Sequence, residues 1–154
     1  METEKQIRYY KQILDAVSSK STCSKRKVGA IIVRDKCVIG AGYNGSCRGL
    51  AHCDDVGHLE YGDSMNENRK KCIRTVHAEL NAILTSARNG IAIKGSDMYS
   101  LYKPCFQCMK VLINSGIEKC FYFDEYKDEF QEVFERNNYC QFIKIPEEML
   151  KWLK

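Results

Sequence analysis

The stretch TVHAELNAILTSA, residues 75–87, decides how the rest of the chain is read. It reads as the opening of an amphipathic helix that runs over 76–89 and is ended by Asn89-Gly90. A histidine and a glutamate stand two residues apart at its very start. Residues so spaced on a helix point roughly 200° away from each other, so His77 and Glu79 share no face. They converge only on a target lying over the helix end.

A second helix supplies the rest of that target. In KPCFQCMKVLINSG, residues 103–116, Pro104 suits a helix start and Gly116 a helix stop. Cys105 and Cys108 fall at i and i+3, on one face of the first turn. Three protein ligands, His77, Cys105 and Cys108, with a fourth position for water describe a catalytic zinc site. Two helix N-termini aimed at the metal stabilise the thiolates, and Glu79 is left free for proton transfer. Alone, Cys-x-x-Cys also reads as a redox pair or a structural zinc site, and His-x-Glu says little. Each opening a helix, together they form the deaminase signature H-x-E…P-C-x-x-C that is described for zinc deaminases.

Around these helices the pattern alternates. A first helix is expected over 5–18, with Ile7, Tyr10, Leu14 and Val17 at helical spacing. A hairpin of strands 28–33 and 37–43 turns at Arg34-Asp35-Lys36. Strands are expected at 97–102, 118–123 and 140–145, with helices over 105–115 and 126–137 and a last helix opened by Pro146. This predicts an α/β sandwich with a mostly parallel second half, as one domain over residues 1–154. Residues 44–72 show no sustained period and are rich in Gly, Asp, Asn, Cys and His. An irregular stretch of that length carries function or is pinned by something.

The composition, 44% hydrophobic and 29% charged with a net charge of +4, is that of a globular chain with a mildly basic surface. The first residues carry no apolar run of signal-peptide length, and no stretch reaches a membrane span. A soluble, cytoplasmic protein without membrane partners is expected. Nine cysteines, an odd number without an export signal, point to metal ligands and buried thiols, not to disulfides.

The segments KVGAIIV, GYNGSCRG, HCDD, CIRTVHAELNAI, YKPCFQCMKVLINSGI and YFDEYKD span most of residues 21–128. With them the chain resembles the cytidine deaminase superfamily, and within it the deoxycytidylate (dCMP) deaminases. The resemblance implies a three-layer α/β/α sandwich around a five-stranded mixed sheet. It also implies zinc-dependent hydrolysis of dCMP to dUMP and ammonia, supplying dUMP for thymidylate synthesis, with Glu79 as the proton carrier. An oligomer built through helix packing, hexamer or dimer, is implied too, with activation by dCTP and inhibition by dTTP, together with Mg2+. Two positions depart from the family's habit: SLYKPC replaces Thr-x-x-Pro-Cys, and Cys47 stands where the loop often has proline.

The same resemblance assigns Asn44 to the sugar hydroxyl and Tyr126 to the neighbourhood of the phosphate. Asn44 also reads as a turn residue at unusual φ, and Tyr126 as a core aromatic on the helix over 126–137. Lys25, Arg26 and Lys27 offer the cations that a 5′-phosphate needs. Gly45, Arg48 and Arg88 are candidate effector contacts, although a solvated helix-end arginine is the commoner reading of Arg88. Cys23, Cys53 and Cys72 with His58 suggest a second, structural zinc that pins the irregular stretch, with His52 as the competing histidine; the alternative is three buried thiols. Cys37, Cys47, Cys120 and Cys140 read as structural, apart from the exposure expected of Cys47.

Two rival functions stand beside this reading. One is deamination of another substrate: dCTP, cytidine, a tRNA base or a pyrimidine of riboflavin synthesis. The other is a zinc-stapled nucleic-acid-binding module, against which stand the single Trp, the missing basic stripe and Glu79 itself. No nucleic-acid partner is expected.

Overall fold

The computed structural model describes residues 2–62 and 70–153. From the amino end run helix α1 (Glu4–Ser18) and the hairpin β1 (Gly29–Arg34) and β2 (Cys37–Tyr43). Among the described residues only short pieces follow: β3 (Gly45–Ser46), α2 (Cys53–Val56), β4 (Glu60–Tyr61), β5 (Lys71–Cys72) and β6 (Thr75–Val76). Regular structure then resumes with α3 (Ala78–Arg88), β7 (Asp97–Tyr102), α4 (Phe106–Ser115) and β8 (Lys119–Asp124). It ends with α5 (Gln131–Glu135), β9 (Gln141–Lys144) and a 3-10 helix, Glu147–Leu153.

Alternation along β1 divides the core in two. Ile31 and Val33 point to one face, against Ile7, Tyr10 and Leu14 of α1. Ala30 and Ile32 point to the other, against Ala78 and Ala82 of α3 and Leu112 of α4. A strand buried on both faces, with successive side chains opposed, must be covered twice. The result is a three-layer sandwich around a five-stranded mixed sheet of order β2-β1-β7-β8-β9. β1 runs antiparallel to β2 and β7, whereas β7, β8 and β9 are mutually parallel. The expected fold class and the parallel second half are those observed.

These directions gather the chain onto one edge of the sheet. The start of β1 and the end of β2 meet there, with Gly29 opposite Tyr43. β7 and β8 end at the same edge, with Tyr102 opposite Asp124. Crevices beyond the carboxyl ends of parallel strands are where open α/β sheets bind ligands. Helix α3 is seated hard against β2: a Cβ at Gly42 would lie 2.2 Å from the Ala82 nitrogen and 2.5 Å from the Ala78 oxygen. Only glycine lets the helix backbone approach so closely. Asn81 fixes the lateral position by donating from Nδ2 to the Tyr43 carbonyl at 2.8 Å.

Several boundaries differ from the sequence expectation. The hairpin turns on two residues, Asp35 and Lys36, both at positive φ of 50° and 63°, the geometry of a tight hairpin that matches strand twist. The helix expected over 126–137 shrinks to the five residues of α5. Its amino end is instead irregular, because Phe130 takes a left-handed φ of 61°. Its carboxyl end is cut by Asn137, whose side chain bonds Phe134 O, Cys140 O and the amides of Tyr139 and Cys140. The helix opened by Pro146 is a 3-10 helix. Part of the irregular stretch, residues 63–69, lies outside the described residues. Among the described residues no helix is long and apolar enough to cross a membrane.

Candidate active site

His77 is the N-cap residue of α3 and Cys105 that of α4, and neither makes a side-chain capping bond. Both side chains are therefore free to turn to a common point beyond the helix ends. His77 Nδ1 lies 3.3 Å from Cys105 Sγ and 3.4 Å from Cys108 Sγ. Ligands bound at ordinary zinc distances in a tetrahedron stand about 3.5–3.8 Å from one another. The donor set, one imidazole and two thiols, fits zinc closely, and the side chosen by the histidine is Nδ1. Hydrogen bonding from Cys108, with His77 behind it, holds the Cys105 thiol below the usual thiol range, which favours the thiolate that a metal ligand needs.

Glu79 sits two residues further in, in the first turn of α3, and is 5% exposed. Its Oε1 accepts a hydrogen bond from Ser100 Oγ of β7 at 3.2 Å, and its Oε2 lies 3.7 Å from Cys108 Sγ. Burial raises its pKa above the usual carboxylate range, which suits a group that must both take and give a proton near neutral pH. The two-residue spacing from His77 puts the carboxylate below the cluster, not in it.

His77, Glu79 and Cys105 line a cavity of about 890 Å³. Asn44, Lys25, Arg26 and Tyr126 line it as well. Asn44 is buried, its Oδ1 accepting from Val28 N at 2.8 Å and its Nδ2 donating to Arg26 O at 2.7 Å. It is not at positive φ, so the turn-residue alternative falls. Arg26 is held between two rings, 5.0 Å from the Tyr102 centroid and 4.8 Å from that of Tyr126. Tyr126 accordingly belongs to the loop before α5 and to the cavity wall, not to a helical core position. Lys25 is engaged with Glu60 and the Lys70 carbonyl, each at 2.8 Å. Lys27 is exposed and outside the lining, as are Arg48 and Arg88; Gly45 is buried in β3, also away from the cavity.

The second group of cysteines also converges. The ligand atoms of Cys23, Cys53, His58 and Cys72 all lie within 4.8 Å of one another. Cys23 Sγ is 3.5 Å from His58 Nδ1, and Cys53 Sγ is 3.5 Å from Cys72 Sγ. Three thiols and one imidazole form a closed four-ligand set of the structural type. His52 is instead the exposed N-cap of α2. Of the remaining cysteines, Cys120 and Cys140 are buried, whereas Cys37 is exposed along with Cys47, since β2 begins at a sheet edge.

Sequence reasoning missed Asp128, Gln131 and Ser100. Asp128 and Gln131 stand three residues apart in the turn before α5, where Gln131 Oε1 accepts the Asp128 N–H at 2.9 Å, although the cap of α5 is Phe130. Ser100 has no sign in the local sequence, because only the pairing of strands brings it under Glu79.

Comparison with known proteins agrees with this geometry. Residues 3–124 match the family described as cytidine and deoxycytidylate deaminase zinc-binding region. ComE operon protein 2 of Bacillus subtilis is 44% identical over 119 residues, which cover 76% of this chain and 59% of that protein. Deoxycytidylate deaminase of Enterobacteria phage T2 is 32% identical over 92% of both chains. The dCMP deaminase of cyanophage S-TIM5, in complex with dCMP and dUMP, superposes with a TM-score of 0.75 at 25% identity, covering 94% of this chain and 99% of that one.

Proposed function

The chain belongs to the cytidine and deoxycytidylate deaminase zinc-binding family, and from that premise we propose that it deaminates dCMP hydrolytically to dUMP and ammonia. The observation that carries this reading is Glu79: a buried carboxylate, steadied by Ser100, directly beneath a zinc-type ligand set at the floor of a cavity. His77, Cys105 and Cys108 would hold the catalytic zinc. When bound there it supplies a Lewis acid that makes water nucleophilic near neutral pH. Glu79 takes the proton from the attacking water and delivers it to N3 of the cytosine ring, making C4 electrophilic. Once the water oxygen has added to C4, Glu79 takes the remaining proton from that C4 hydroxyl and passes it to the amino group, which leaves as ammonia as the C4 carbonyl forms. The Ser100 hydroxyl keeps the carboxylate aimed through both transfers.

For the phosphate, Arg26 is the cation of choice. Its guanidinium is fixed between Tyr102 and Tyr126, and a preoriented fork suits phosphate oxygens. Lys25 is engaged elsewhere and Lys27 lies outside the lining, so they contribute charge at most. Asn44 would meet the sugar with its second amide hydrogen and spare lone pairs, while its present bonds fix the Arg26–Val28 backbone. Cys23, Cys53, His58 and Cys72 would hold a second, structural zinc. Exposed Leu84 on α3 and Val111 on α4 support helix packing against further copies. Control by dCTP, dTTP and Mg2+ through Gly45, Arg48 and Arg88 follows from the family and would act outside the cavity.

Ammonia release measured across dCMP, dCTP, cytidine and tRNA, with and without dCTP and dTTP, tests the reading. The expected order puts dCMP first by a wide margin. Equal release from cytidine would sink the phosphate assignment, and no release from any cytosine compound by zinc-loaded protein would sink the function.

A further inference from the structure

Asp128 stands between the two Cys/His clusters. Its side chain is only 2% exposed. One carboxylate oxygen accepts the Phe106 N–H at 3.2 Å, the amide that directly follows Cys105. The other receives the Lys71 ammonium. The Asp128 N–H donates to Gln131 Oε1 at 2.9 Å, and Gln131 Nε2 donates to Pro104 O at 2.8 Å and to Tyr126 O at 2.9 Å. The turn that carries Cys105 is thus gripped on both sides by one short segment.

Lys71 precedes Cys72 in β5 and is paired across the ladder with Tyr61, so its position depends on the strand that delivers Cys72. A smaller cavity of about 320 Å³ is lined by Lys71, Cys72, His77, Cys105 and Asp128, all five of which also line the larger one. The ion pair therefore stands where the two cavities meet. A carboxylate this deeply buried needs a countercharge. The amino end of α4 supplies part of it, yet the same end must also favour the Cys105 thiolate. Lys71 removes that competition by neutralising Asp128 directly.

We propose that Asp128 is a positioning residue for the Cys105 turn, and that the Lys71–Asp128 pair transmits the state of the Cys23–Cys53–His58–Cys72 cluster to the catalytic one. This rests on the two-zinc reading above. Opening the second cluster frees β5, withdraws Lys71, and leaves Asp128 to compete with Cys105 for the helix end.

Zinc release to a chromophoric chelator reads this without reference to turnover. Wild-type protein should release two zinc ions in two phases, and the phase missing from Cys53→Ser belongs to the second cluster. In Cys53→Ser the catalytic ion should leave about ten- to a hundredfold faster, the usual effect of losing support behind a ligand. Lys71→Met and Asp128→Ala should do the same with both ions bound, whereas Asp128→Asn, which keeps an acceptor for the Phe106 N–H and carries no competing charge, should release slowly. The Cys53→Ser/Lys71→Met double variant should be no faster than either single, and Lys71→Arg should restore slow release. His58→Ala replaces Cys53→Ser if that protein does not fold. Effects that multiply in the double variant, or unchanged release in Lys71→Met, would overturn the proposal. One zinc per wild-type chain would instead remove the two-zinc reading, a failure told apart by stoichiometry alone.

Discussion

The His77–Cys105–Cys108 cluster and the Cys23–Cys53–His58–Cys72 cluster use the same kinds of ligand on opposite kinds of chain. The first stands on the amino ends of α3 and α4, eleven- and ten-residue helices fixed to the sheet. The second is assembled from a loop, the four-residue α2, the irregular residues after it and the two-residue β5. Regular elements placed by the core bring the first set together, so its geometry is available before any metal arrives. The short elements of the second bury little apolar surface of their own; Val56, Leu59, Tyr61 and Ile73 are all exposed. There a bound metal would supply the folding energy that packing does not. On the two-zinc proposal, one cluster is a consequence of the fold, whereas the other is a cause of it.

That contrast can be broken at several strengths. The largest effect belongs to His77→Ala and Cys105→Ser, which should lose the catalytic metal and with it all measurable deamination, while far-UV circular dichroism stays that of the wild type. A collapse of secondary structure would put the first cluster among the causes of folding as well. Glu79→Gln should lower turnover by about two to four orders of magnitude with zinc content unchanged. Near-normal turnover in that protein would remove Glu79 from the proton path.

Cys53→Ser should do the reverse: zinc falls from about two to one per chain, and the melting temperature drops by roughly 5–10 °C, as for a loss of a few kcal/mol in a chain of this size. KM for dCMP should rise as the residues around Asn44 loosen. His58→Ala should copy it. Elemental analysis of unchelated wild-type protein that finds one zinc would return Cys23, Cys53 and Cys72 to buried thiols. The smallest effect is expected of His52→Ala, whose exposed side chain lies outside the cluster; zinc content and melting temperature should not move. A lost zinc there would exchange the two histidines.

The first cluster was also the legible one. His77, Glu79, Cys105 and Cys108 sit at fixed offsets from helix starts, and helix starts are written in local sequence. The hairpin, β7 and the parallel half were equally readable, because period-two burial and turn residues are local too. The second cluster, with His58 favoured over His52, could be proposed from the sequence, but only the path of a backbone without periodicity brings His58 within reach of the three thiols and leaves His52 an exposed cap. Helix 126–137 failed for a different reason. Its sequence is compatible with a helix, yet Asp128 and Gln131 turn their side chains to Phe106, Lys71 and Pro104, and tertiary bonds outweigh local propensity there. Ser100 was invisible because a register, not a spacing, puts it below Glu79.

The bare contact at Gly42 sets a limit on redesign. Helix α3 rests on the sheet backbone to backbone, so it has reached a hard stop and has no inward travel left. Any enlargement beneath it, at Gly42 or at the Gly40 position that faces Ser86, lifts the helix and draws Glu79 off Ser100. Efforts to admit a bulkier base should therefore leave the floor alone and begin at the opposite wall. There Tyr102 and Tyr126 can be pared back without moving a helix, as long as Arg26 keeps one ring to lie against.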